Sequence, residues 1–555
     1  MQSDEVDKEE RSSLSPNLIR KEGNLMMLAY AREVVEGDCF FKAEEGFDRL
    51  ITILNGEESA AMTMSEIEKL IHEKLQEIGL KLTEAKMNAV GLRETSEPVI
   101  GADGVVRTQK ELLCRKIETR FGEVSYKRWG YGAKGVVSLF PADGHLNLSP
   151  TKYTNEVSRL VSKNITNSSY DATREDLLSQ SGAKVPKRQS LELVERAAID
   201  FEDFYEKGAM SGGKEEEPEV VQGGSLLILT TDGKGVVMRS EGLREQTRMA
   251  AEQEKHKLDK RLSRGEKRNR KRMAQVASVY TVAPIVRTAE EVVGELSSES
   301  VGQKKRRRPR PENKRVWASV KRGTELVIDE MFKEGQDRDP KHEKQWVALV
   351  DGNPCQLKEL RKKAQSFKVQ LTIVLDIIHV LEYLWKAACG FYGEGSPQSE
   401  GFVTQRLLRL LRGQSSQVAK GIRKMATERR LQGQARKQVD KCADYLLKYT
   451  SIIHYDQYLA QGLPIATGVI EGACRYLVKD RMEITGARWN LVGAEAVLCL
   501  RSLRASDDFQ EYWRYHENSE RERNHTAKYL NGLPTLRNDV PVIQHNKGTL
   551  RLVEG

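Results

Sequence analysis

SLLILTTDG (225–233) is a short, unbroken apolar run that stops at Thr-Thr-Asp-Gly. Two further runs have the same form. QWVALVDG (345–352) ends in Asp-Gly and VQLTIVLD (369–376) ends in Asp. Apolar runs of this length, bounded by turn residues, are expected of central strands buried on both faces. The alternating QVASVYTV (275–282) predicts another strand, paired with Gly235–Arg239. Between the strands, Asn313–Phe332, Gln356–Ser366 and His379–Cys389 carry helical patterns. The expected class is α/β, with strands feeding helices.

Working outward, Leu18–Leu54 and Ser65–Leu92 repeat apolar residues at helical spacing between acidic blocks. KIETRF and VSYKRW flank Gly122-Glu123 and predict a small hairpin, followed by the connector Asn147–Thr151. Residues 152–207 return to helix, with amphipathic patterns at Ser169–Ser179 and Gln189–Phe204. SGAKVPKR (181–188) separates them, with Gly182 as a stop and Pro186 near a start. This is the outline of a helix-turn-helix, with Lys187 and Arg188 opening the second helix, and equally of an ordinary helical hairpin. Ser211–Gly224 reads as a linker. Lys255–Arg272 and KKRRRPRP (304–311) are basic insertions in the α/β part. They read as a solvated helix face and a loop, or as phosphate-binding arms that include Lys267, Arg268, Arg270, Lys271, Arg272, Arg306, Arg307 and Arg308. Gln398–Leu459 is a long helical region.

The 555 residues suggest about three or four domains. With 39% hydrophobic and 31% charged residues the chain has the balance of a soluble folded protein rather than a disordered one. No apolar stretch approaches the ~18 residues of a membrane span. No basic-then-apolar leader opens the chain, so a cytoplasmic location is expected. Seven scattered Cys without CxxC exclude a disulfide scaffold or a Cys-rich zinc module. The net charge of +9 permits nucleic acid as a partner.

Asp at the end of a buried strand needs compensation. Ligands of α/β sheets gather at the carboxyl ends of parallel strands, and adjacent strands lie ~4.8 Å apart, so Asp232 and Asp351 are expected side by side. Carboxylates that close repel each other, and a hard divalent cation such as Mg²⁺ relieves this. A third carboxylate is offered by PIATGVIEGACRYLVKDRMEITGARW (464–489). There Thr467 is the expected N-cap, and Ile470, Ala473, Cys474 and Leu477 form the core face. Glu471 borders that face, with Arg475 and Lys479 at i+4 and i+8, making either a metal-plus-phosphate surface or an i,i+4 Glu–Arg pair. Trp317, Trp385 and Trp489 read as core anchors, although Trp489 beside Arg488 could stack on a base. His379, which opens an apolar helix, reads as structural or as a metal or DNA contact.

TTDGKGVVMR (230–239), GEKRNRKRMAQVASVYTV (265–282), NKRVWASV (313–320), WVALVDGN (346–353), IVLDIIHVLEYLWKAA (373–388) and the 464–489 block resemble bacterial insertion-sequence transposases of the Kra type. These are a DDE group related to the Mutator-like transposases. TRFGEVSYKRWGY (119–131) and SSYDATREDLL (168–178) resemble the family's N-terminal half, and the resemblance spans most of 115–515. It implies an RNase H-like catalytic core, a mixed five-stranded sheet with flanking helices. It further implies helical N-terminal domains and a helical insertion before the catalytic Glu. Asp232, Asp351 and Glu471 match the three acids that hold two Mg²⁺ ions, with Mn²⁺ as substitute. Asp376 and His379 match an auxiliary D-x-x-H, and Asp376 is an alternative second metal ligand.

The implied activity is binding of terminal inverted repeats, then metal-dependent cleavage and strand transfer into target DNA by a homodimer or larger assembly. The alternatives are a nuclease of the same fold or a non-catalytic DNA-binding descendant. The implied division is a helical region 1–110, a hairpin element 111–150, a DNA-binding region with linker 151–215, and core 216–390. The insertion 391–463, the Glu helix 464–505 and a tail 506–555 complete it.

Overall fold

The computed structural model describes residues 40–207, 226–254, 258, 270–296, 308–538, 543–546 and 549–552. They form two compact units. One holds the described residues up to Phe204 and those from Glu511 onward; the other is Tyr205–Gln510. The linker 211–224, most of the first basic insertion and residues 304–307 of the second lie outside the described residues.

The first unit opens with α1 (Phe41–Asn55) and α2 (Met64–Gly91). Thr63 and Glu66 cap α2 reciprocally, satisfying amides that a helix start leaves unpaired. At the other end a Cβ on Gly91 would lie 2.0 Å from the Lys127 carbonyl, so the approach of helix to sheet requires glycine. β1 (Gln109–Thr119), β2 (Gly122–Ala133) and β3 (Val136–Leu139) form an antiparallel meander. The expected hairpin is present, but its turn is Arg120-Phe121, because Thr119 already pairs with Gly122. Then come α3 (Asn155–Ile165), α4 (Tyr170–Ser181) and α5 (Lys187–Ala197). Gly182, at φ 64°, ends α4 in the left-handed conformation, and Pro186 caps α5. Gln189–Phe204 is not continuous: the helix stops at Ala197 and a second begins at Phe201. The expected tail instead begins with a helix, Phe509–Asn524. It buries Tyr512, whose hydroxyl donates to the Ala197 carbonyl at 2.6 Å.

The second unit is built on a mixed sheet of β4 (Leu226–Val237), β5 (Lys271–Val282), β6 (Glu312–Ser319), β7 (Gln345–Val350) and β8 (Leu371–Leu375). Its order is β6-β5-β4-β7-β8. β5 is antiparallel to β4 and β6, whereas β7 and β8 continue parallel to β4. Helices α6 (Thr324–Arg338) and α7 (Pro354–Ser366) make the crossovers.

Two expectations fail here. Asn313–Ser319 is strand rather than helix: Val316, Trp317 and Ala318 are buried by pairing with β5, and the helix starts only at Thr324. Gln275–Val282 pairs with Leu226–Gly233, while Gly235–Val237 lie opposite Lys271–Met273, because β4 runs on through Asp232.

Side chains cover the outer strands. Ser506 and Ser502 accept from the Val316 and Ala318 amides, and Glu495 accepts from the Val320 and Lys321 amides. At the opposite edge the Tyr455 and Tyr458 hydroxyls donate to the Leu375 and Ile373 carbonyls.

After β8 come α8 (Ile377–Tyr392), α9 (Pro397–Leu411), α10 (Ser415–Glu428) and α11 (Gly433–Lys448), as the helical pattern predicts. Then follow α12 (Gly468–Ala473), a π-helical turn at Cys474–Lys479, and α13 (Leu491–Ala505). Among the described residues no helix is long and apolar enough to cross a membrane.

Candidate acidic site at the sheet rim

Because β4, β7 and β8 are parallel neighbours, their carboxyl ends share one rim of the sheet. The β4–β7 ladder pairs Thr230 with Leu349; Asp232 and Asp351 each follow two residues later. Asp232 accepts from its neighbour's amide, Gly233 N, at 2.6 Å and from Cys474 Sγ at 3.3 Å. Asp351 accepts from Asn353 N at 2.8 Å. The Tyr445 hydroxyl donates to the Asp351 carbonyl, and that of Tyr449 to Gly352.

The segment that carries Glu471 is anchored to the sheet both before and after its helix. Before it, Ile377 N donates to the Ile465 carbonyl at 2.9 Å. Thr467 donates to Asp376 through its hydroxyl at 2.5 Å and its amide at 3.3 Å. After it, Trp489 N donates to Val237 O and Arg239 N to Trp489 O, which joins the chain to the end of β4. Thr467 holds the N-cap position, but its side chain makes no cap bond; it serves Asp376 instead. Ile470, Ala473, Cys474 and Leu477 are buried as the helical pattern requires.

Electrostatics couple the acids. Burial pushes the Asp351 carboxyl above the usual carboxylate range; the Asn353 amide opposes this, and the charges of Asp232 and Asp376 add to it. Glu471 is exposed, yet partial desolvation raises it, followed by the charge of Asp376; His379 opposes this and Asp232 adds to it. None of Asp232, Asp351 and Glu471 has an ion pair with Lys or Arg among the described residues. The i,i+4 Glu471–Arg475 pair does not form, and Arg475 and Lys479 are exposed. His379 opposes the rise at both Asp351 and Glu471 without cancelling it, and raised carboxyls that offer hard oxygen donors fit a divalent cation.

Asp376 differs. It is fully buried and accepts from Ile378 N, His379 Nδ1 and both Thr467 donors. That hydrogen bond to Asp376 is the main reason His379 is raised to about 9. Asp376, His379 and Glu471 also form a group whose possible ligand atoms lie within 4.8 Å of one another. Asp232, Asp351 and Glu471 form no such compact trio. The tighter group is better explained by hydrogen bonding, since the oxygens of Asp376 are occupied by four donors. Acids that serve two ions ~3.5–4 Å apart need not all touch one another.

The other expected residues have varied surroundings. Arg488 is exposed, but Trp489 is buried and donates to Met482 O, so it is no stacking platform. Trp317 is buried; Trp385 is 40% exposed and is no core anchor. Arg272 donates to the Val320 and Gly242 carbonyls, Arg308 pairs with Glu295, and Lys271 lies 4.0 Å from Glu483. Arg270 is half-buried. In the first unit Lys187 and Arg188 are exposed and pair with Asp171 and Glu192. Lys267, Arg268, Arg306 and Arg307 lie outside the described residues.

Sequence reading missed Tyr445 and Tyr449 in the helical insertion and the role of Thr467. Each acts across about 90 residues of chain, a separation that local patterns do not register. The chain matches no protein-family model and no curated protein.

Proposed function

We propose that this chain is a DNA transposase of the DDE type, with an RNase H-like core in the second unit. The observation that carries this reading is the gathering of acids along one rim of a β6-β5-β4-β7-β8 sheet, where the charge of Asp232 reaches both Asp351 and Glu471 across more than 100 residues of chain. In this reading Asp232, Asp351 and Glu471 hold Mg²⁺. When bound, the metal supplies Lewis-acid activation of the attacking oxygen and charge neutralisation at the phosphodiester. Asp376 is a positioning residue: it fixes Thr467, and with it the start of the Glu471 helix, while orienting His379 through Nδ1. Arg475 and Lys479, exposed beyond Glu471, contact backbone phosphates. The helices α3–α5 would bind the element's terminal repeats, and joining two ends would require at least a dimer on DNA.

The test uses the purified chain, DNA fragments flanking its gene, a supercoiled target plasmid and Mg²⁺ or Mn²⁺. The expected products are ends with a 3′-hydroxyl and fragments joined to the plasmid. Cutting without joining of pre-cut ends identifies a nuclease. Neither cutting nor joining with either metal overturns the enzymatic reading.

A further inference from the structure

Beside the acidic rim, α7 begins three residues after Asp351. Lys358, Arg361, Lys362 and Gln365 stand at i, i+3, i+4 and i+7, on one face of this helix. Lys448, in the last turn of α11, lines the same cavity, as do Pro354 and Tyr449. The cavity measures about 470 Å³. A second hollow of about 480 Å³ shares Arg361 and Gln365 with it and adds Lys368. Together they make a trough that runs from the loop after Asp351 along α7 toward β8.

Its charge is poorly compensated. Lys362 pairs with Glu325 and Glu359, but Lys358, Arg361, Lys368 and Lys448 have no ion-pair partner among the described residues. Pockets for small organic ligands are mostly apolar with a few polar groups. Four uncompensated cations in an open trough suit a polyanion with spaced charges.

We propose that this trough binds the sugar–phosphate backbone of double-stranded DNA, through Lys358, Arg361 and Lys448 with Lys368 further along. Tyr449 links it to the acidic rim, because this residue lines the trough and donates its hydroxyl to the carbonyl of Gly352. DNA held along α7 is thus led toward Asp351. The choice of DNA rests on the transposase reading, whereas the affinity of the trough for a phosphate backbone does not.

The test measures fluorescence anisotropy of a labelled 40-base-pair duplex of arbitrary sequence, with the full chain in EDTA, over a range of salt. K358Q/R361Q/K448Q is expected to bind at least tenfold more weakly at low salt. Its log Kd–log salt slope is expected to fall by about 2.7, at ~0.9 per lost phosphate contact. K358R/R361K/K448R keeps the charges and is expected to bind within about threefold of wild type. Unchanged affinity and slope in the glutamine variant overturn the proposal. So does equal loss in the charge-preserving variant, which would mark a structural role. Preference for a single-stranded RNA of equal length would reassign the trough to a different partner and also overturn it. Since EDTA silences metal-dependent cleavage, failure to cut DNA in the preceding assay leaves this measurement independent.

Discussion

Asp200 in the first unit and Asp351 in the second are both carboxylates drawn away from water, yet they settle on opposite sides of the ordinary range. Burial would raise Asp200, but His516 at 2.6 Å and Arg523 at 2.5 Å outweigh it and hold the acid low. Asp351 has one backbone amide and only the charge of His379 to oppose the rise, so burial prevails and the neighbouring acids reinforce it. The first arrangement is complete as it stands and cements a helix contact. The second has no ion pair with Lys or Arg among the described residues and its carboxyl stays raised, which is the property expected of a site rather than of a structural ion pair.

Three experiments bear on this contrast. The largest effect is expected from D232N, D351N or E471Q, each reducing metal-dependent cleavage on the order of 10³-fold, or about 4 kcal/mol of barrier. Cleavage by D351N at the wild-type rate would reduce Asp351 to a structural acid like Asp200.

Next comes a pair of opposite signs in urea melts without divalent metal at pH 7. D200A removes one member of a buried network and should cost about 3 kcal/mol. D351N removes a repelled charge and should stabilise the chain by about 1 kcal/mol. Because the folded-state pKa of Asp351 is raised, its unfavourable contribution appears as pH rises, so the gain in D351N should vanish below about pH 3.9. Destabilisation by D351N at pH 7 would break the contrast.

The smallest effect concerns His379. Its pKa is raised to about 9 from 6.5, so the stability it contributes is fully present below pH 6.5 and disappears as pH climbs through about 9. Compared with H379N, the wild type should lose about 1 kcal/mol across that window, a figure discounted for the partial exposure of the ring. Parallel pH profiles for the two proteins would count against the Asp376–His379 bond.

How much of this was legible in the sequence follows from distance along the chain. β4, β7 and β8 were readable because strands covered on both faces need continuous apolar residues, and the Asp that closes each apolar run stands out, although β4 continues past Asp232 to Val237. β6 was not: Lys314 and Arg315 interrupt its apolar run, and Trp317 and Val316 fit a helical period as readily as a strand. The strand argument puts Asp232 and Asp351 side by side, and motif resemblance adds Glu471, since spacing alone left Glu471 open to a pairing with Arg475 that does not form. The hydroxyls of Thr467, Tyr445 and Tyr449 were beyond reach. A threonine at an N-cap position has an obvious local task, and nothing in its neighbourhood reveals a partner 91 residues away.

The covered borders of the sheet in the second unit have a consequence for self-association. Open β borders recruit further strands, and natural proteins guard against this. Here serines occupy amides along β6 and a glutamate those just after it, while two tyrosines occupy carbonyls along β8. Copies of this chain therefore have little means of polymerising through backbone ladders from this unit, and any paired assembly would have to be built from helices or loops.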